Sequence, residues 1–114
     1  LKSVMETVKL EFRTANREPF DYPVQVIQFG DDLSIITLGN EVVIDYVLRL
    51  KRELGKKDGP VIWVAGYSNV YSGYIPSKRV LEEGGYEARS RPWKPALEER
   101  IIAKTHELFE RVNR

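Results

Sequence analysis

Cysteine is absent from this 114-residue chain, and histidine occurs once, at His106. Without thiols there is no disulfide and no thiolate nucleophile or metal ligand. One histidine is too few for a self-contained zinc site of the usual kind, which draws three or four ligands from His, Cys, Asp and Glu. An excess of charge of either sign is also lacking: 18 Lys and Arg stand against 17 Asp and Glu, for a formal net charge of +1. The basic residues are scattered among acids, so there is no electrostatic footprint for nucleic acid or an anionic membrane. No apolar run approaches the roughly 18 residues that cross a bilayer, and no signal peptide is recognisable. A P-loop, a dinucleotide glycine fingerprint, a serine nucleophile elbow and an HExxH pair are all missing.

What is present is an ordinary folding composition, 42% hydrophobic and 31% charged, which excludes a disordered chain. The length allows one domain that buries about two thirds of its unfolded surface. Residues 1–114 therefore read as a single domain. Because the chain starts at Leu1 rather than methionine, it reads as a fragment of something longer.

Val8, Leu10 and Phe12 alternate with Lys9, Glu11 and Arg13, the period of a strand with one wet face. Residues 14–23, with Asn16, Pro19, Asp21 and Pro23, read as a loop. Two short apolar runs, residues 24–29 and 33–38, flank Gly30-Asp31-Asp32 and predict a β-hairpin. A helix is expected from Gly39-Asn40, with Asn40 as N-cap. Its apolar stripe is Val43, Val47, Leu50 and Leu54, widened by Ile44 and Tyr46, with Asp45 and Arg49 on the outer face. Gly55 stops it, and the apolar run Val61 to Ala65 predicts a fully buried strand. Strand, helix and strand make a βαβ unit with parallel strands. Ser77 caps a short helix that ends at Gly84-Gly85, and Arg91 to Pro95 reads as a rigid turn. Leu97, Ile101, Thr105, Leu108 and Val112 then line an amphipathic final helix, acidic at its start and basic at its end. The fold class is α/β: a mixed sheet with an N-terminal strand, a β-hairpin, a βαβ unit and a C-terminal amphipathic helix.

Chemistry concentrates between Ala65 and Glu87, where four of the six tyrosines (Tyr67, Tyr71, Tyr74 and Tyr86) interleave with glycines. A strand that opens into such a loop is how α/β proteins deliver polar side chains to a site. Two roles are open to Glu41, at the junction of a strand and a helix. It either offers a carboxylate to a metal ion or stabilises the helix N-terminus by ~0.3–1 kcal/mol. A loop tyrosine either supports an oxyanion or a metal or packs its ring and leaves its hydroxyl wet. Asn69 is suited to an Asx-turn within its own loop. His106, beside Glu107 and Glu110, reads as a solvated surface histidine.

Three blocks carry a family resemblance: Leu38 to Leu54, beginning Leu-Gly-Asn-Glu-Val-Val; Trp63-Val-Ala-Gly-Tyr-Ser-Asn69; and Gly73-Tyr-Ile-Pro-Ser-Lys-Arg-Val-Leu-Glu-Glu-Gly-Gly-Tyr-Glu87. In this order they resemble the neutral/alkaline non-lysosomal ceramidase family, especially its bacterial members of unassigned substrate, over residues 24–87. The resemblance implies the last part of the catalytic domain of a zinc-dependent amide hydrolase, in an extracytoplasmic or secreted setting. It assigns Glu41 and Tyr74 as zinc ligands, Tyr74 as a catalytic residue, and Asn69 and Tyr71 as the loop that supports them. Two histidine ligands would then lie upstream of Leu1, and the 114 residues alone would be inactive. The implied substrate is an N-acyl amide or lipid-like molecule. One departure stands out, since the family's Pro-Gly-Glu segment reads Gly39-Asn40-Glu41 here.

The alternative is a non-catalytic binding or assembly module, a small α/β unit that forms a homodimer through exposed apolar surface. Tyr67, Tyr71 and Trp93 would be its aromatic candidates for a carbohydrate or lipid face.

Overall fold

Alternation of apolar and polar residues decides which strands hold the centre of the molecule. The structure, a computed structural model, describes residues 1–14, 16–66, 73–85 and 91–113. Four strands form a mixed sheet: β1 (Lys2–Leu10), β2 (Phe20–Phe29), β3 (Leu33–Leu38) and β5 (Val61–Ala65), in the order β1-β2-β3-β5. The first two pairings are antiparallel and β3 with β5 is parallel. Helix α1 (Ile44–Leu54) connects β3 to β5, so the expected βαβ unit is present. The hairpin turns at Gly30, whose φ of 54° is the left-handed conformation that glycine adopts without steric cost.

One sheet face carries Leu10, Tyr22, Val24, Val26, Ile36, Leu38 and Ile62, all buried. Helix α1 and the final helix α3 (Leu97–Val112) pack against it. The α3 stripe of Leu97, Ile101, Thr105, Leu108 and Val112 is buried as its spacing predicts, and Tyr46, Leu50 and Leu54 complete the core from α1. Trp93 closes one end, fully buried, stacked on Phe12 at 4.5 Å and edge-on to Phe20 at 6.0 Å.

Several expectations are corrected. The segment 14–23 is not all loop, because β2 begins at Phe20. Pro23 stands opposite Thr7 of β1 but before the β3 pairing, which starts at Val24, so it sits where the strand is paired on one side alone, the kind of position that tolerates a missing N–H. Residues 61–65 are not fully buried: Val61 is 67% and Trp63 58% exposed. An apolar run reads as buried when both faces are covered, but among the described residues β5 is an edge strand whose second face is open. Ile44, expected in the α1 stripe, is also exposed. Trp93 is unavailable as a surface aromatic, and Tyr67 and Tyr71 lie outside the described residues.

Candidate functional site

The helix expected from Asn40 begins four residues later. Asn40 takes φ of 58° and is fully buried rather than capping, and the N-cap is Val43, without a side-chain hydrogen bond. The delay has a cause in β-pairing. Glu41 and Val42 form a two-residue strand, β4, parallel to a second one, β6 (Tyr74–Ile75). The Glu41 amide donates to the Gly73 carbonyl at 2.9 Å and the Val43 amide to the Ile75 carbonyl at 3.2 Å. Those bonds hold residues 41–43 extended and postpone the helix.

The register of this pair places the site. Glu41 is opposite Tyr74, and Val42 opposite Ile75. Successive residues of a strand point to opposite faces. Ile75 is fully buried and Val42 packs against the core, so Glu41 and Tyr74 share the outward face. Both line a cavity of about 450 Å³ with Ile44, Asp45, Arg79 and Glu83.

Two buried phenols anchor the segments that carry the pair. The Tyr22 hydroxyl donates to the Gly39 carbonyl at 2.7 Å, just before β4, and the Tyr46 hydroxyl to the Pro76 carbonyl at 2.8 Å, just after β6. Burial raises the pKa of both well above the ordinary tyrosine value, so both stay protonated donors.

Three charged residues of the cavity were not legible from sequence. Asp45, expected on the outer helix face, accepts from Arg79 at 2.8 and 2.9 Å and from the Ser77 hydroxyl at 2.6 Å. Arg79 also pairs with Glu83. The Arg79 guanidinium is the main cause that holds the Asp45 carboxyl below its usual pKa, against the opposing effect of burial. Ser77 caps α2 (Lys78–Glu83) as expected, accepting from the Val80 amide at 3.2 Å. Sequence spacing gave no signal for them, because Asp45, Arg79 and Glu83 are brought beside Glu41 only by the fold.

With Asp45 and Glu83 occupied by Arg79, Glu41 is the cavity carboxylate that no side chain among the described residues engages. Its carboxylate is a zinc donor of a usual type, and the Tyr74 phenol beside it offers a second oxygen. In number they fall short, since among the described residues no group of three or more His, Cys, Asp or Glu could hold a metal ion. Asn69 and Tyr71 lie outside the described residues. His106 sits elsewhere, on α3, with Nε2 at 2.7 Å from Glu53 Oε1. It is thus paired rather than merely solvated. No protein-family model, curated protein or solved structure matches the chain.

Proposed function

We propose that this chain supplies a glutamate and a tyrosine ligand, Glu41 and Tyr74, to the zinc centre of a ceramidase-like amide hydrolase acting on an N-acyl amide or lipid-like substrate. The observation that supports this reading is the β4–β6 register, which sets these two side chains opposite each other on one cavity wall. The donor types fit, and the remaining ligands would come from outside the described residues. A metal bound there supplies water of lowered pKa and a polarised amide carbonyl. Glu41 brings negative charge and orientation to that position. On this reading the Tyr74 hydroxyl would donate to a carbonyl oxygen as charge collects on it. Val42, Ile44 and Val80 give the cavity an apolar flank beside the two oxygen donors.

Two ligands predict weak binding. Titrating the chain with zinc, with tyrosine difference absorbance as readout, should give a dissociation constant in the high-micromolar range or weaker. Glu41→Ala and Tyr74→Phe should each weaken it about tenfold, the equivalent of about 1.4 kcal/mol. Zinc binding indifferent to both substitutions would overturn the assignment. So would clear turnover of an N-acyl amide by these 114 residues alone.

A second reading is assembly without metal chemistry, with the chain as a homodimer. The specific observation in its favour is an apolar sheet face that no helix covers among the described residues, where Phe29, Val61 and Trp63 are exposed. Sedimentation across a concentration series tests it, and a strict monomer would remove it.

A further inference from the structure

The sheet has two faces, and among the described residues the helices cover only one. The other face is built from alternate residues of β2, β3 and β5. In register, Phe29 lies beside Leu33 and Leu33 beside Val61, while Ile27 lies beside Ile35 and Ile35 beside Trp63. These six residues form a block two rungs deep and three strands wide, with no charged side chain inside it and the Trp63 indole N–H as its one hydrogen-bonding group. The next rung is polar: Gln25 donates to Ser3 at 3.1 Å and accepts from Thr37 at 3.4 Å. Phe29 is 44%, Val61 67% and Trp63 58% exposed, and Ile27, Leu33 and Ile35 are partly exposed between them.

We infer that this block is the contact surface of a two-fold dimer in which two copies pack sheet on sheet. The inference rests on the assembly reading above and gives that reading a face and a geometry. Area is the first argument. The block exposes roughly 450 Å² of apolar surface, taking a whole aromatic side chain as up to ~250 Å². Face-to-face packing with the rim included therefore removes about 1,000 Å² in total, the lower bound for a specific interface. Shape is the second. The two bulky residues occupy opposite corners, Phe29 on β2 and Trp63 on β5, with low aliphatic side chains between. A two-fold axis parallel to the strands and above β3 exchanges β2 with β5. It lays Phe29 of one copy over Val61 of the other, and Trp63 over Ile27, large on small, with both contacts duplicated by symmetry. Sheets at the usual spacing of about 10 Å interdigitate side chains in this manner. The absence of charge within the block is the third argument, because nothing in it selects a chemically different partner.

The test uses the native absence of cysteine and the difference between the two tryptophans. Trp93 is fully buried and Trp63 is 58% exposed, so iodide quenching reports Trp63. Sedimentation of the chain should show a reversible dimer with a micromolar dissociation constant, and iodide quenching should fall as dimer forms. Trp63→Lys, at an exposed position that leaves the core intact, should raise the dissociation constant at least tenfold while circular dichroism is unchanged. Ile35→Cys, nearest the axis, should give covalent dimers with a short bismaleimide, and Leu48→Cys, 59% exposed on α1, should not. A monomer at all concentrations, with Trp63 freely quenched, would overturn both this inference and the assembly reading. A dimer insensitive to Trp63→Lys and captured at Leu48→Cys would overturn the sheet-face geometry while leaving assembly in place. Neither result bears on zinc binding at Glu41 and Tyr74.

Discussion

Asn40 takes a left-handed backbone that costs most L-residues roughly 1 kcal/mol or more, and it does so fully buried. Neither polar atom of its carboxamide has a hydrogen-bond partner among the described residues, so no side-chain bond there offsets the cost of the backbone conformation. Asparagine is the side-chain-bearing residue best able to replace glycine at such a position. Asn40→Gly should be at least as stable as the native chain. Asn40→Ala should fall about 1 kcal/mol or more below Asn40→Gly, as measured by urea denaturation. Among individual residues, Glu41 and Tyr74 were legible as candidates, whereas the Asp45–Arg79 contact was not. That ion pair joins α1 to α2 across the cavity, and sequence spacing holds no record of two segments meeting in space.

At the level of elements, long periodic segments announced themselves and two-residue strands did not. Helix α3 repeats its apolar stripe over four turns, so its buried face could be read directly. β4 and β6 have two residues each, too few for any period, and their pairing is what shifts the start of α1. Edge status was equally hidden in β5, because an apolar run looks the same whether its second face meets helices or stays open. The joint between α1 and α3 is ionic. Arg49 reaches Glu53 at 2.8 Å, Glu98 at 2.5 Å and Glu99 at 2.6 Å, and Glu53 also meets His106. Replacing Arg49 with Met should cost about 1 kcal/mol, a modest figure because Glu99 is largely exposed and screened.

The acidic groups of this joint also set a pH dependence. The hydrogen bond from Arg49 is the main cause lowering the Glu99 pKa. At Glu53 burial acts upward, but hydrogen bonds from Arg49 and His106 outweigh it, and the pKa is lowered. Asp45 is lowered likewise by Arg79. A carboxyl with a depressed folded pKa binds fewer protons folded than unfolded, so stability rises with pH through that window. The contribution is complete above the unfolded carboxyl range near pH ~4 and disappears as pH falls through the folded values. Urea midpoints should therefore drop below about pH 4, less steeply in Arg49→Met. Tyr22 and Tyr46, raised when folded, act oppositely. Their contribution is full below about pH 10 and is lost as pH climbs past it.

Over the whole molecule, protection is uneven by construction. β2 and β3 are flanked on both sides by strands, and their inward side chains meet both helices. β5 has a neighbouring strand on one side only among the described residues. Hydrogen exchange should find the slowest amides in β2 and β3 and faster exchange along β5, a gradient expected when stability is local as well as global. Equal protection across all four strands of the free chain would mean that something covers the outer edge.

The short ladder between residues 41–42 and 74–75 also makes the candidate site a matter of parity. Odd and even positions of a strand look to opposite sides, so sliding one of these segments by a single residue would exchange phenol for isoleucine across from the carboxylate. A two-rung contact thus works as a switch with only two settings. For the proposed pair, what has to be preserved is therefore the alignment of Glu41 with Tyr74, ahead of the bulk of the side chains around them.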